Sequence, residues 1–79
     1  MQNTNALPAW LDRTLYPFAP RTFATPEGRL SYLDEGSGAP VLLVHGTPTW
    51  SFEWREVVRM LAPHHRVIAP DNHGFGLSD

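Results

Sequence analysis

Residues 41 to 52 are Val-Leu-Leu-Val-His-Gly-Thr-Pro-Thr-Trp-Ser-Phe, a short apolar run that leads directly into a His-Gly-Thr-Pro loop. The uninterrupted apolar residues Val41 to Val44 predict a strand buried on both faces, because a half-exposed strand would alternate apolar and polar residues. Gly46 then allows a sharp turn, which would leave the N–H of Thr47 pointing beyond the sheet rather than into a ladder. A backbone N–H in that position can stabilise an oxyanion.

The residues before this run predict a β-hairpin. Arg21 to Ala24 and Arg29 to Asp34 are short extended runs joined by Thr25-Pro26-Glu27-Gly28. In this linker proline presets the second turn position and glycine suits the fourth. Residues 1–20 contain aromatic and proline residues without a sustained period. We therefore expect residues 1–20 to form an arm that packs across a larger body, and residues 21–79 to belong to the main domain.

A helix and a second buried strand are predicted after the loop. Ser51 is a suitable N-cap for a helix of about ten residues that ends at Leu61, before Pro63. Its apolar stripe and its solvent face follow the helical period: Trp54, Val57, Val58 and Leu61 on one side, Glu53, Glu56 and Arg59 on the other. Arg66 to Pro70 is the second strand, and a strand-helix-strand unit makes the two strands parallel.

The two loops of interest, His45 to Trp50 and Asp71 to Asp79, follow these two strands. In parallel sheets, ligands bind beyond the carboxyl ends of the strands, so both loops are candidates for a functional site. We expect Asp71 to accept local backbone N–H groups. Trp50 has two open interpretations, since it could line a substrate pocket or pack over the start of the helix.

Composition and charge exclude several classes of protein. The chain has 79 residues, of which 42% are hydrophobic, and a formal net charge of −2 without a basic stripe. This balance argues against nucleic-acid binding. No apolar stretch reaches the length that spans a membrane and no basic leader precedes an apolar run, so the expected location is the cytoplasm. The chain has no cysteine, which excludes disulfides and thiolate metal sites.

The histidines and the glycine-rich loop do not predict a metal or nucleotide site. The adjacent side chains of His64 and His65 diverge, and loop packing is expected for His73. Gly74 and Gly76 could begin a dinucleotide-binding motif, but the third glycine position is Asp79, whose carboxylate would repel a pyrophosphate. No metal ion is predicted.

Taken together, His45 to Phe52, Arg66 to Asp71 and Gly74 to Asp79 resemble the opening third of the α/β-hydrolases, and most closely their haloalkane dehalogenase branch. The resemblance implies an α/β fold with an antiparallel hairpin, a parallel β-α-β unit and an incomplete sheet. It implies a small-molecule substrate and no cofactor, and it indicates no oligomeric state. The candidate substrate-binding residues are Gly46, Thr47 and, in one of its two open interpretations, Trp50; the residues with structural roles in the motif are His45, Pro48, Asp71, Gly74 and Gly76.

Members of that branch displace halide with a carboxylate and then hydrolyse the resulting ester with a histidine-activated water. The resemblance implies that the Thr47 N–H supplies half of the oxyanion hole for the second step. Many of these dehalogenases carry at this position an asparagine whose side-chain amide helps to hold the halide, whereas threonine offers one hydroxyl donor. Ester, epoxide or β-lactone chemistry on the same scaffold is therefore the alternative.

The nucleophile, the acid and the catalytic histidine of this family lie further along a longer chain. No Gly-x-Ser-x-Gly or aspartate equivalent is present in the 79 residues. We therefore expect this chain to be an N-terminal fragment without turnover of its own. Two non-enzymatic alternatives are a ligand-binding member of the fold without a nucleophile and an inactive stub whose apolar edge strand is left unpaired.

Overall fold

The computed structural model describes residues 7–79, which form one mixed sheet of four strands with a short helical segment packed against it. The strands are β1 (Arg21–Thr25), β2 (Gly28–Glu35), β3 (Pro40–Leu42) and β4 (Arg66–Pro70), in the spatial order β1-β2-β4-β3. Between β3 and β4 lie a 3₁₀ helix (Ser51–Trp54) and helix α1 (Arg55–Leu61). The predicted α/β fold class is thereby confirmed, including its incomplete sheet.

The predicted hairpin is confirmed. Strands β1 and β2 pair antiparallel with Thr25 opposite Gly28, so that Pro26 and Glu27 form the turn. The Thr25 hydroxyl donates to the Gly28 carbonyl at 2.6 Å. Gly28 has a φ of 127°, a conformation that glycine adopts readily and other residues rarely adopt. Strand β2 continues across the sheet and pairs antiparallel with β4.

The predicted parallel pair is also confirmed, but its first strand is shorter and more exposed than expected. β3 pairs parallel with β4, with Val41 opposite Val67. It comprises Pro40–Leu42 instead of Val41 to Val44, although the Leu43 N–H still donates to the Ile68 carbonyl. Leu42 and Val44 are 63% and 54% exposed, which contradicts burial on both faces. Within residues 7–79 no strand pairs with the outer edge of β3, because β4 is its single neighbour in the sheet.

The helix begins differently from the prediction. Ser51 is the first residue of the 3₁₀ helix and not an N-cap; Trp50 occupies the cap position without a side-chain cap hydrogen bond. The segment Ser51 to Leu61 is therefore a 3₁₀ turn followed by seven α-helical residues. Its apolar stripe is confirmed, since Val58 is fully buried and Glu53, Glu56 and Arg59 are exposed.

The core joins the arm to the sheet and to α1. Its buried hydrophobic side chains come from all three parts of the structure: Leu11, Tyr16 and Phe18 from the arm, Leu33, Val67 and Ala69 from the sheet, and Val58 from the helix. Trp10 and Leu15, which also belong to the arm, are 65% and 48% exposed. The predicted arm starts at residue 1, and its residues 1–6 lie outside the described part of the chain.

Candidate active site

The loops that follow β3 and β4 meet at the carboxyl edge of the sheet, and His45 joins them. Its Nε2 accepts a hydrogen bond from the Asn72 N–H at 2.9 Å. Because a backbone N–H can only donate, Nε2 carries the lone pair, and Nδ1–H donates to the Gly46 carbonyl at 2.8 Å. Both ring nitrogens of this buried, neutral histidine are therefore engaged, which suits a structural role and leaves no free position for proton abstraction.

Hydrogen bonds hold most of the polar groups in the His-Gly-Thr-Pro loop. The Gly46 N–H donates to Glu53 Oε1 at 3.0 Å, and the Thr49 N–H donates to the Gly46 carbonyl at 3.0 Å. Pro48, which follows Thr47 through a cis peptide bond, has no N–H to donate. Within residues 7–79, the Thr47 N–H makes no hydrogen bond, and Thr47 is exposed.

The glycine in this loop does not play the steric role that the sequence suggested. Gly46 does not have a positive φ. A Cβ at this position would meet no heavy atom of the described residues within 4 Å. The turn after β3 is therefore fixed by hydrogen bonds to neighbouring groups and not by a conformation that only glycine can adopt.

Asp71, at the end of β4, is fully buried and holds two separate segments through its carboxylate. Oδ1 accepts the Ser51 N–H at 2.7 Å and Oδ2 accepts the Leu77 N–H at 2.9 Å. The expected acceptance of a local amide is seen at Leu77, whereas the contact to Ser51 links the start of the helical segment to β4. This carboxylate thereby supplies the cap that the Ser51 side chain does not provide.

Trp50 lies in an aromatic cluster made of Trp10, Tyr16, Phe18, Trp50 and Phe52. Its ring stacks on Tyr16 and on Phe52, with centroid distances of 5.2 and 5.4 Å. Trp10 meets it edge-on at 5.9 Å. These contacts favour the interpretation in which Trp50 packs over the start of the helical segment.

The arm is connected to the same region by a buried hydrogen bond. The Tyr16 hydroxyl lies 2.7 Å from the Ser51 Oγ. Burial raises the pKa of the Tyr16 phenol far above its ordinary value, and the nearby Asp71 charge acts in the same direction, whereas the hydrogen bond to Ser51 lowers it. The phenol is therefore neutral at physiological pH.

The glycine-rich loop returns to the hairpin. Gly76 has φ of 52°, and a Cβ there would lie 2.7 Å from the Trp50 Cβ, so both conformation and space require glycine. A Cβ at Gly74, which has φ of 84°, would meet nothing within 4 Å. Two hydrogen bonds to β2 hold the end of the loop. The Asp79 N–H donates to the Arg29 carbonyl at 2.9 Å, and the Arg29 backbone N–H donates to Asp79 Oδ2 at 2.8 Å.

The other histidines make no hydrogen bond to the His-Gly-Thr-Pro loop within residues 7–79. His73 Nε2 is 3.1 Å from the Thr25 hydroxyl, so this residue contacts the hairpin turn. His64 is exposed and His65 is half-buried. Among residues 7–79, no three His, Cys, Asp or Glu side chains are grouped as metal ligands would be. The same residues contain no helix with the length and hydropathy of a membrane span.

Sequence reasoning missed the role of Glu53. The helical period correctly assigned this residue to the exposed face, but its carboxylate also accepts hydrogen bonds from Gly46 and from the Thr49 hydroxyl. Hydrogen bonds from Thr49 and Gly46 hold the pKa of Glu53 below its ordinary value. Thr49 lies before the helical segment, so no helical spacing in the sequence indicated this contact.

Comparison with known proteins supports the architecture. A family model described as alpha/beta hydrolase fold matches residues 39–79. Over 68 residues, which make up 86% of this chain and 24% of the relative, the sequence is 52% identical to haloalkane dehalogenase 2 of Mycobacterium bovis (strain ATCC BAA-935 / AF2122/97). Over 66 residues, 84% of this chain and 21% of the relative, it is 46% identical to a cis-3-alkyl-4-alkyloxetan-2-one decarboxylase of Shewanella oneidensis (strain ATCC 700550 / JCM 31522 / CIP 106686 / LMG 19005 / NCIMB 14063 / MR-1).

Comparison with a solved structure also supports the architecture. The epoxide hydrolase CorEH superposes with a TM-score of 0.71 and 40% identity, covering 76% of this chain and 21% of the hydrolase. The chain spans about a quarter of the length of the curated relatives that it matches, 24% and 21%. Its four-stranded sheet and short helix correspond to an incomplete N-terminal part of the shared fold. On the matched family model, the order of its strands and the identity with these relatives, the chain belongs to the α/β-hydrolase fold family.

Proposed function

We propose that this chain is the N-terminal part of a cofactor-independent hydrolase and that the Thr47 N–H donates one hydrogen bond of its oxyanion hole. The observation that carries the proposal is the state of the loop after β3, in which Gly46 and Thr49 use their N–H groups internally and Thr47 does not. An unengaged N–H at the carboxyl edge of the sheet can stabilise developing negative charge on a small-molecule substrate.

The first candidate reaction is hydrolysis of a carbon–halogen bond through an alkyl-enzyme ester. The 52% identity to a haloalkane dehalogenase supports it. In this reaction the Thr47 N–H would act when water attacks the ester carbonyl, because negative charge then develops on the carbonyl oxygen. The second donor, the nucleophile and the base would come from other parts of the protein.

The second candidate is hydrolysis or opening of an epoxide, an ester or a β-lactone. One relative is an epoxide hydrolase, and another acts on an oxetan-2-one, which is a β-lactone. Thr47 favours this group of reactions, since its side chain offers one hydroxyl and no amide to a leaving halide. In these reactions the Thr47 backbone N–H would keep the same role.

The proposal is tested in the full-length protein that contains residues 1–79. Purified protein is incubated with a chlorinated alkane, an epoxide and an aryl ester, and halide, diol and phenol release are measured. Halide release selects the first candidate, and diol or phenol release without halide selects the second. A folded full-length protein that turns over none of the probes would contradict the proposal.

The role of Thr47 is tested with a matched pair of variants. Thr47→Pro deletes the N–H, and we expect kcat to fall by about 10²- to 10³-fold, the usual cost of losing one oxyanion donor. Thr47→Ala keeps the N–H and removes the hydroxyl, so it should retain most of the wild-type kcat. Undiminished turnover by Thr47→Pro would remove this amide from the mechanism.

A further inference from the structure

The carboxylate of Glu53 closes the loop that carries the Thr47 N–H. Its Oε1 accepts the Gly46 N–H at 3.0 Å and also contacts the Thr49 hydroxyl. Glu53 belongs to the 3₁₀ helix, whereas Gly46 belongs to the turn after β3. The side chain therefore connects the turn after β3 to the start of the helical segment.

Gly46 depends on such a contact because its own surroundings restrict it little. A Cβ at this position would touch nothing within 4 Å, and glycine has the widest choice of backbone conformations. The peptide group between Gly46 and Thr47 is planar, so its C=O and N–H have a fixed mutual orientation. Contacts to the Gly46 carbonyl therefore set the direction of the Thr47 N–H directly, whereas a contact to the Gly46 N–H, which belongs to the preceding peptide group, acts by restricting the φ and ψ angles of Gly46.

Both backbone polar groups of Gly46 are hydrogen-bonded. Its carbonyl accepts from the Thr49 N–H and from His45 Nδ1–H, while its N–H donates to Glu53. The Thr49 hydroxyl lies close to both the Gly46 carbonyl and the Glu53 carboxylate but has a single proton to donate. An ionised carboxylate is the stronger acceptor, which directs that proton to Glu53.

We propose that Glu53 is a positioning residue of the oxyanion hole: by binding the Gly46 N–H and the Thr49 hydroxyl, it restricts the backbone of Gly46 so that the Thr47 N–H faces the reacting oxygen. The inference rests on the proposed function and assigns to this side chain a task that acts through Thr47. Glu53 itself does not touch the substrate in this arrangement.

The test compares three variants of the full-length protein with the probe that the wild type turns over fastest. Glu53→Ala removes both acceptor oxygens, and we expect kcat to fall at least about tenfold, because small misplacements of a catalytic group cost one to two orders of magnitude. Glu53→Gln keeps an acceptor oxygen for the Gly46 N–H and should retain most of the wild-type kcat. Glu56→Ala removes an exposed carboxylate of α1 and should leave kcat unchanged.

A second measurement follows the hydrogen bond itself. Amide exchange in a peptide covering residues 45–50 should be faster in Glu53→Ala than in the wild type and should return to the wild-type rate in Glu53→Gln. An active wild type together with an undiminished Glu53→Ala would overturn this inference alone. Equal losses in Glu53→Ala and Glu53→Gln would also overturn it, and a wild type without turnover of any probe would remove the proposed function as well.

Discussion

Asp71 shows how a single buried side chain organises the candidate site. Its two oxygens accept the Ser51 and Leu77 N–H groups at 2.7 and 2.9 Å, so both sides of the carboxylate are used. Ser51 follows the loop that carries Thr47, and Leu77 belongs to the loop after β4. The relative position of the two loops therefore depends on an anion that is closed off from water.

Asp71→Asn tests this role. Asparagine has one acceptor oxygen, and its NH₂ group would face a backbone N–H that can only donate, so we expect a loss of about 2–3 kcal/mol in the free energy of unfolding. The measurement is urea unfolding of the full-length protein. Asp12→Asn is the control, because the exposed Asp12 uses one oxygen, Oδ1, to accept the Thr14 and Leu15 N–H groups. Equal stability of the two variants would contradict the assigned role.

Sequence reasoning predicted that Asp71 would accept backbone N–H groups and that His45 would have a structural role, but it did not predict their partners. Acceptance of backbone N–H groups follows from a carboxylate at a strand end, and one of the two donors, Leu77, is indeed local. The other contacts, Asp71 to Ser51 and His45 to Asn72, join residues that are 20 and 27 positions apart. Such pairs are set by the packing of the loops, which no local pattern encodes.

Among the elements, the arm is held mainly by Tyr16. Its ring is buried against Trp50 and Phe18, and its hydroxyl meets Ser51 Oγ at the start of the 3₁₀ helix. Two further hydrogen bonds shape the arm locally, since Arg13 donates to the Tyr16 and Phe18 carbonyls. The arm is thus bound to the same helical segment that carries Glu53, and its docking supports the site from outside the sheet.

Tyr16→Phe should cost about 1 kcal/mol at pH 8, because it leaves the Ser51 hydroxyl buried without its partner. The pKa of Tyr16 is raised in the folded protein, so the native state keeps a proton that the unfolded chain loses near pH 10.0. Stability contributed by the neutral phenol is therefore complete below pH 10 and declines above it. In urea unfolding at pH 8 to 11, the gap between wild type and Tyr16→Phe should narrow above pH 10. Tyr32→Phe is the control and should show no such difference in stability from the wild type. A difference between wild type and Tyr16→Phe that does not change with pH would contradict the prediction.

Elements whose signals are local were predicted closely. Strand β4 has the expected bounds, and β1 and β2 extend by one residue or two beyond them, because a turn with proline and glycine fixes their register. The predicted start of the helical segment was wrong. The Ser51 hydroxyl contacts Tyr16, and the Ser51 N–H donates to the distant Asp71. The extent of β3 was wrong as well, because burial on both faces requires neighbours that residues 7–79 do not supply.

For the molecule as a whole, the outer side of β3 is an unpaired sheet edge within residues 7–79. The strand has one neighbour in the sheet, and the apolar side chains of Leu42 and Val44 are exposed beside its free edge. An apolar edge strand offers unpaired N–H and C=O groups to other chains and is a template for association. The buried core of the described residues is also small for independent folding, since a chain of this size has little stabilisation to spare.

We therefore predict that the isolated 79-residue chain associates through β3. Leu42→Lys should increase the soluble, monomeric fraction of this chain, because a charge on an edge strand opposes pairing with another copy. Met60→Lys is the matched control: Met60 is 71% exposed on α1, so the substitution adds the same charge away from the edge. The monomer fraction is measured by size-exclusion chromatography with light scattering at several concentrations, and cooperativity is measured by thermal unfolding. A soluble wild-type monomer with a sharp cooperative transition would contradict the prediction, and equal rescue by the two lysines would show that net charge, and not the edge of β3, controls association.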